Sequence, residues 1–243
     1  MKVLRPFFRR YGSKWLLSRK LDPPKHDVIV EPFAGSASYS CRYGADQHVI
    51  LIDKDPIVAA IWAWLLAATP EDVLALPVDI GRTDIRKLGL STAPMRLIQA
   101  WLKPNASPYT WRFAKSTLVH AVRQPGSYWS ERTRLRIATQ LQYLKHWSIS
   151  VDAYSSAPDI KATWLIDPPY QHQSQHNTQY GARVTDFEAL GAWCRSRTGQ
   201  VFVHEQHGAD WLDFHSLDTA SCTSFTYEGK RKRAHEVLWT NTP

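Results

Sequence analysis

The run Asp27 to Phe33 (DVIVEPF) is short, β-branched and closed by an acid, and Gly35, Ser36, Ala37 and Ser38 follow it as a small-residue turn. The pattern repeats in His48 to Asp53 (HVILID), after which Asp55 and Pro56 make an N-cap and first-turn pair for an apolar helix over Ile57 to Ala68. Strand, turn, helix, strand, helix is a βαβ signature. It commits the chain to an α/β fold around a parallel sheet, because parallel neighbours need a crossover between them.

The rest of the chain adds to that sheet. Alternation in Ser148 to Asp152 and a continuous apolar run in Ala162 to Ile166 read as two more strands. Thr185 and Glu188 form a T-x-x-E capping box for a helix running to about Arg197, with Gly199 placed to end it, and Gln200 to His204 is a further strand. Ser221 to Tyr227, a turn at Glu228 to Arg233, and His235 to Thr240 read as an antiparallel hairpin. Between Thr69 and about Trp147 the strand signal fades into prolines, basic residues and aromatics, including Arg112 and Arg132, which predicts an inserted, mainly helical lobe. The expected organisation is residues 1–68 and 147–243 as one sheet domain, with 69–146 inserted.

Composition narrows the partner. The chain has 243 residues, 30 Lys and Arg against 22 Asp and Glu, and a net charge of +8. That bias suits a polyanion, nucleic acid first. Cys41, Cys194 and Cys222 are far apart without a CxxC pair, so neither a disulfide framework nor a cysteine zinc site is indicated. The N-terminus lacks an export signal and the longest apolar run is shorter than the ~20 residues of a membrane span, so a cytoplasmic protein without a membrane partner is expected.

Two stretches carry chemistry. Asp167-Pro168-Pro169-Tyr170 directly follows the strand ending at Ile166, at the carboxyl edge where open α/β sheets bind ligands. The prolines have fixed φ and no N–H, so backbone carbonyls turn toward a pocket rather than into a ladder. An acid, a carbonyl and an aromatic ring in one space suit an exocyclic amine on a planar base, with Asp167 and the Pro168 carbonyl accepting while Tyr170 stacks. The second stretch is Glu31-Pro32-Phe33-Ala34-Gly35-Ser36. It is neither a dinucleotide fingerprint nor a P-loop, so no pyrophosphate cradle is encoded. With Asp53 at the end of the next strand, placed to reach ribose hydroxyls, the acids favour a cationic nucleoside without phosphates, a description S-adenosylmethionine fits.

On these residues the chain resembles the Dam-like class of DNA adenine-N6 methyltransferases, in the family's order over nearly its whole length. Tyr11-Gly12-Ser13-Lys14 is similar to the N-terminal motif, EPFAGSA at 31–37 to the methyl-donor loop, LIDKD at 51–55 to the ribose-binding acid, WLIDPPY at 164–170 to the catalytic motif, and KRKRAHEVLWTN at 230–241 to the closing basic turn and strand. The donor motif departs at Ala37, where the pattern has a second glycine.

The resemblance implies a class-I methyltransferase, Rossmann-like sheet with helices on both faces and the inserted lobe as the target-recognition region. It implies that Tyr11, Lys14, Phe33, Gly35 and Asp53 hold the donor with Asp152 and Tyr154 near its adenine. Asp167, Pro168 and Tyr170 would hold a target adenine flipped out of duplex DNA, and no metal is needed. Arg112, Arg132 and the run Lys230, Arg231, Lys232, Arg233 are candidate DNA contacts. Gln171 to Tyr180 reads as a polar loop closing over the flipped base, with zinc at His172 and His176 not expected. Amino methylation of cytosine N4, RNA adenine or a protein glutamine, and a degenerate DNA-binding homologue, stay open as alternatives.

Overall fold

In the computed structural model, residues 2–80, 84–102, 111–112, 128–172, 184–225 and 231–241 are described, with backbone alone for 218–225 and 231–234. Seven strands form one sheet: β1 Val28–Glu31, β2 His48–Ile52, β3 Trp147–Ser150, β4 Ala162–Ile166, β5 Gly199–Gln206, β6 His215–Phe225 and β7 Arg231–Thr240. Their spatial order is β3-β2-β1-β4-β5-β7-β6. The first five run parallel, and β7 enters antiparallel between β5 and β6. The chain winds outward from β1 through β2 to β3, then returns to place β4 on the other side of β1. The topological switch point therefore lies between β1 and β4, at whose carboxyl ends stand Glu31 and Asp167.

β4 (ATWLI) is buried at every position, as a central parallel strand covered on both faces requires. Its alternation divides two cores. Ile29, Leu51, Leu165, Phe202 and Leu238 face Leu4, Phe7 and Phe8 of the N-terminal segment, helix α1 (Ser38–Tyr43), helix α2 (Pro56–Ala67), helix α4 (Thr92–Leu102) and helix α5 (Glu131–Gln140). Val30, Trp164, Ile166, Val201 and Val203 face Leu190 and Cys194 of helix α6 (Phe187–Ser196) together with Trp211. The α/β fold with helices on both faces of a mostly parallel sheet is thus as the sequence predicts. The described part of 69–146 is mainly helical and includes a short α3, Pro70–Leu74. Trp101 and Trp129 are core residues there, their indole N–H groups donating to the carbonyls of Phe7 at 2.8 Å and Pro77 at 2.7 Å.

Asp55 and Pro56 start α2 as expected, with Asp55 Oδ1 accepting from Ile57 N at 2.9 Å. Three expectations are corrected. The N-cap of α6 is Asp186, whose Oδ1 accepts from Ala189 N at 2.8 Å. The T-x-x-E pair of Thr185 and Glu188 is exposed and out of phase with the helix start, and aspartate is the stronger cap. Gly199 does not end that helix, because the chain already leaves it extended at Arg197. Gly199 opens β5 with φ +107°, and a Cβ there would lie 2.1 Å from the Ala162 carbonyl oxygen. The C-terminal hairpin is longer than its alternation suggests: β6 starts at His215, and register shifts between Ser216 and Thr219 and between Ser221 and Phe225 interrupt the period of two. Arg231 and Arg233 accordingly pair within β7, opposite Phe225 and Ser221, rather than lying in the turn.

No helix of the described residues is long and apolar enough to cross a membrane.

Candidate active site

Glu31 ends β1 with its side chain turned under the small-residue loop, 2% exposed. Its Oε1 accepts from Ser40 N at 2.7 Å. Burial pushes the carboxyl from 4.5 up to about 7, against the pull of the Ser40 hydrogen bonds and with the Asp167 charge adding to the rise. A buried acid of this kind favours a positive group brought beside it.

The loop that follows is tied to β2 and α2. Ala34 N donates to the Ile52 carbonyl at 3.0 Å, Gly35 N donates to Asp53 Oδ2 at 2.8 Å, and the Trp62 indole donates to the Gly35 carbonyl at 2.9 Å. Gly35 has φ +48°, the left-handed conformation that glycine adopts freely. Ala37 has φ +45°, so a methyl-bearing residue occupies the same conformation two positions on, at a cost of about 1–2 kcal/mol. Asp53 Oδ1 accepts from Asp55 N at 2.8 Å, and Asp55 Oδ2 pairs with Arg10 at 2.7 Å. Burial raises Asp53 while the Asp55 and Gly35 amides draw it back, and each of its oxygens retains a lone pair for a ligand hydroxyl.

Across the switch point stands Asp167. Burial lifts its carboxyl to about 6, the nearby Lys14 charge lowers it, and the Glu236 carboxylate raises it again. Lys14 Nζ is 3.1 Å from Asp167 Oδ1, an ion pair. The same ammonium donates to the Gly12 carbonyl at 2.8 Å and sits 4.8 Å from the centre of the Tyr170 ring. A cation is therefore held here by a carboxylate, a carbonyl and an aromatic face. The Tyr170 hydroxyl donates to Glu236 Oε2. Glu205 lies behind, its Oε2 accepting from Gln171 N and from the Trp211 indole, both at 3.0 Å.

The cleft between these groups is lined by Tyr11, Lys14, Glu31, Phe33, Ala34, Gly35, Ser36, Asp53, Asp167 and Pro169 among the residues read from the sequence, joined by Arg10, Ser13, Ser38 and Asp55. Hydroxyl contacts of Ser13 with Ser36 at 3.1 Å and with Ser38 at 2.9 Å fasten the N-terminal motif to the donor loop. Tyr154 stacks on Phe33 with ring centres 5.5 Å apart. Pro32 and Pro168 are buried beside the cleft and do not line it. Asp152 is exposed beyond the end of β3, its Oδ1 accepting from Ala153 N at 2.7 Å, and is also not part of the lining. Lys14, expected on the donor, contacts the Asp167 and Tyr170 side.

Comparison with protein-family models and with curated proteins gives no match.

Arg112 and Arg132 are exposed, Arg112 at 4.0 Å from Asp84 and Arg132 on α5. Nearby, the guanidinium groups of Arg86 and Arg96 lie 5.2 and 4.3 Å from the Trp111 ring centre. Lys230 and the segment 173–183, which includes His176 and Tyr180, lie outside the described residues, and Arg231, Lys232 and Arg233 are placed by backbone alone. Among the described residues no group of three or more His, Cys, Asp or Glu is arranged to hold a metal ion.

Sequence reading missed Glu205 and Glu236. Both are buried acids on strands, and no local sequence pattern separates them from the exposed acids of an ordinary strand.

Proposed function

We propose that this chain is an S-adenosylmethionine-dependent methyltransferase, built on a class-I methyltransferase sheet, that methylates N6 of adenine in DNA. The observation carrying the reading is that one cleft at the switch point joins Asp167 and Pro169 to the Glu31, Gly35 and Asp53 loop. The fit of the donor rests on the donor-loop side: a buried acid for positive groups at Glu31, a carboxylate with spare lone pairs at Asp53, and the paired rings of Phe33 and Tyr154.

S-adenosylmethionine, when bound, supplies a methyl group made electrophilic by its sulfonium. Glu31 offers the negative environment such a cation needs, and Asp53 accepts from ribose hydroxyls. On the other side, the oxygens of Asp167, which lines the cleft, accept from the amino group of the target base while Tyr170 stacks on its ring. These acceptors orient the amine and offset the positive charge that develops on it, with no covalent enzyme intermediate. The environment that already holds the Lys14 ammonium is of the kind a cationic amine requires. An adenine inside a duplex cannot reach such a pocket, so the base is flipped, at a cost of a few kcal/mol offset by stacking and hydrogen bonding. The net charge of +8 supplies attraction to the phosphates.

The test is transfer of labelled methyl from S-adenosylmethionine to unmethylated duplex DNA, followed by nuclease digestion. Label in N6-methyladenine nucleoside is the expected result. Label in N4-methylcytosine, or only in RNA or protein, refutes the target. Donor and DNA binding without transfer identify a degenerate homologue.

A further inference from the structure

Tyr170 is joined to a part of the chain far from its own loop. Its hydroxyl donates to Oε2 of Glu236, 66 residues later in sequence. Glu236 lies on β7 opposite Gln206 of β5, and two residues on, Leu238 is opposite His204. Glu236 is 8% exposed, and its carboxylate is close enough to Asp167 for its charge to act on that carboxyl. An acid buried next to another acid is costly, and the phenol supplies a charge-assisted hydrogen bond that offsets part of that cost. The bond fixes the edge of the ring, while the Lys14 ammonium 4.8 Å from its centre marks the face as one that holds a cation.

We propose that Glu236 is a positioning residue for methyl transfer: it holds Tyr170 with its face toward the target amine and, by accepting a hydrogen bond from the phenol, makes the ring richer in electrons where the amine becomes positive. This inference rests on the methyl-transfer reading above. In that reaction the carbon–sulfur bond of the donor breaks to leave a neutral thioether. A nitrogen–carbon bond forms, and N6 carries a positive charge until its proton is released to water. Interaction with the ring face is strongest while that charge is present, so a ring made electron-rich by Glu236 acts on the transfer step more than on binding. Because Glu236 shares β7 with Arg231 and Arg233, the strand carrying the expected phosphate contacts also sets the ring.

The experiment compares wild type, Glu236→Ala, Glu236→Gln, Tyr170→Phe and the Tyr170→Phe/Glu236→Ala double variant in single-turnover methylation. Binding of donor and of DNA is measured alongside, together with 2-aminopurine fluorescence at the adenine found methylated in wild type. Glu236→Ala is expected to slow transfer about tenfold to a hundredfold, the size of losing a base–aromatic stack. Donor and DNA affinities should stay within about twofold, and the fluorescence of the flipped base should change. Glu236→Gln, which keeps an acceptor, should recover most of the rate. In the Tyr170→Phe background, Glu236→Ala should add less than about threefold, since the phenol it acts through is gone. Fully additive losses, or a fall in donor affinity that matches the fall in rate, overturn the proposal.

Thermal unfolding of the same proteins separates this outcome from failure of the methyl-transfer reading. Coupling between residues 170 and 236 is expected in stability whatever the substrate, and its absence overturns the contact itself. Wild-type protein that transfers no methyl to DNA overturns the methyl-transfer reading, and the role at N6 with it.

Discussion

Replacing Glu31 by Gln tests whether this protein keeps a destabilising charge in its cleft. The carboxyl is raised from 4.5 to about 7 by burial, so the folded state holds its proton more tightly than the unfolded chain does. The penalty for ionising Glu31 is absent below about pH 4.5, grows as pH rises and is complete above about 7. At about 1.4 kcal/mol for each pH unit between the two values, the full penalty is about 3 kcal/mol. Glutamine keeps an oxygen for the Ser40 amide, now 2.7 Å from Glu31 Oε1, and removes the charge. In urea or thermal unfolding, Glu31→Gln should therefore stabilise the protein by about 3 kcal/mol at pH 8 and by less than about 1 kcal/mol at pH 5. For a domain of this size the pH 8 gain corresponds to about 6–12 °C in Tm. The same protein should bind S-adenosylmethionine at least about tenfold more weakly at pH 8, having lost the charge that favours a cation. Equal stability changes at the two pH values, or destabilisation at pH 8, refute the assignment of Glu31 as a buried, ionising acid.

Asp167→Ala should slow methyl transfer by about a hundredfold to a thousandfold, as removal of a charge-stabilising partner does, while calorimetry finds donor affinity nearly unchanged; a large loss of donor affinity contradicts its place on the acceptor side. Reversing the charge of Arg231 and Arg233 together should weaken DNA binding and lower the slope of log affinity against log salt by about 2. An unchanged slope removes that strand from the interface. Gly199→Ala should cost more than about 3 kcal/mol in unfolding free energy or abolish soluble protein, since a methyl would meet the Ala162 carbonyl at 2.1 Å. A Tm near wild type would show that the β4–β5 register is wrong.

The parallel half of the sheet was readable from sequence because its signals are local. A strand buried on both faces needs a continuous apolar run, and Ala162 to Ile166 supplies one. Asp55 and Pro56 announce a helix within three residues. Glu31, Asp53 and Asp167 of the cleft were readable for the same reason, since position at a strand's carboxyl end is enough to suspect them. The remaining features depend on contacts distant in sequence. Glu236 follows His235 in a strand where alternation predicts an outward polar side chain next to an inward one, and only the arrival of Tyr170 makes it a site residue. Lys14 precedes every strand, so nothing local distinguishes its binding to Asp167 from binding to the donor loop. Bulges hid the start of β6 by breaking the period that defines a strand, and Thr185 and Glu188 imitated a cap one residue from the aspartate that makes it.

The cleft is acidic in a protein that is basic as a whole. A chain with a net charge of +8 gathers Glu31, Asp53, Asp167, Glu205 and Glu236 around one switch point, where burial raises the carboxyls of Glu31, Asp53, Asp167 and Glu205. The two cations that line the cleft are already committed, Arg10 to Asp55 and Lys14 to Asp167. A positive exterior attracts phosphates over about a Debye length, near 8 Å at physiological salt. Inside the cleft, where water screens less than at the surface, the acids act on groups in contact with them. On the proposed reading the opposed signs would operate at different ranges: the surface would gather a polyanion, and the cleft would admit from it an uncharged amine able to become a cation while rejecting the phosphates that carried it there.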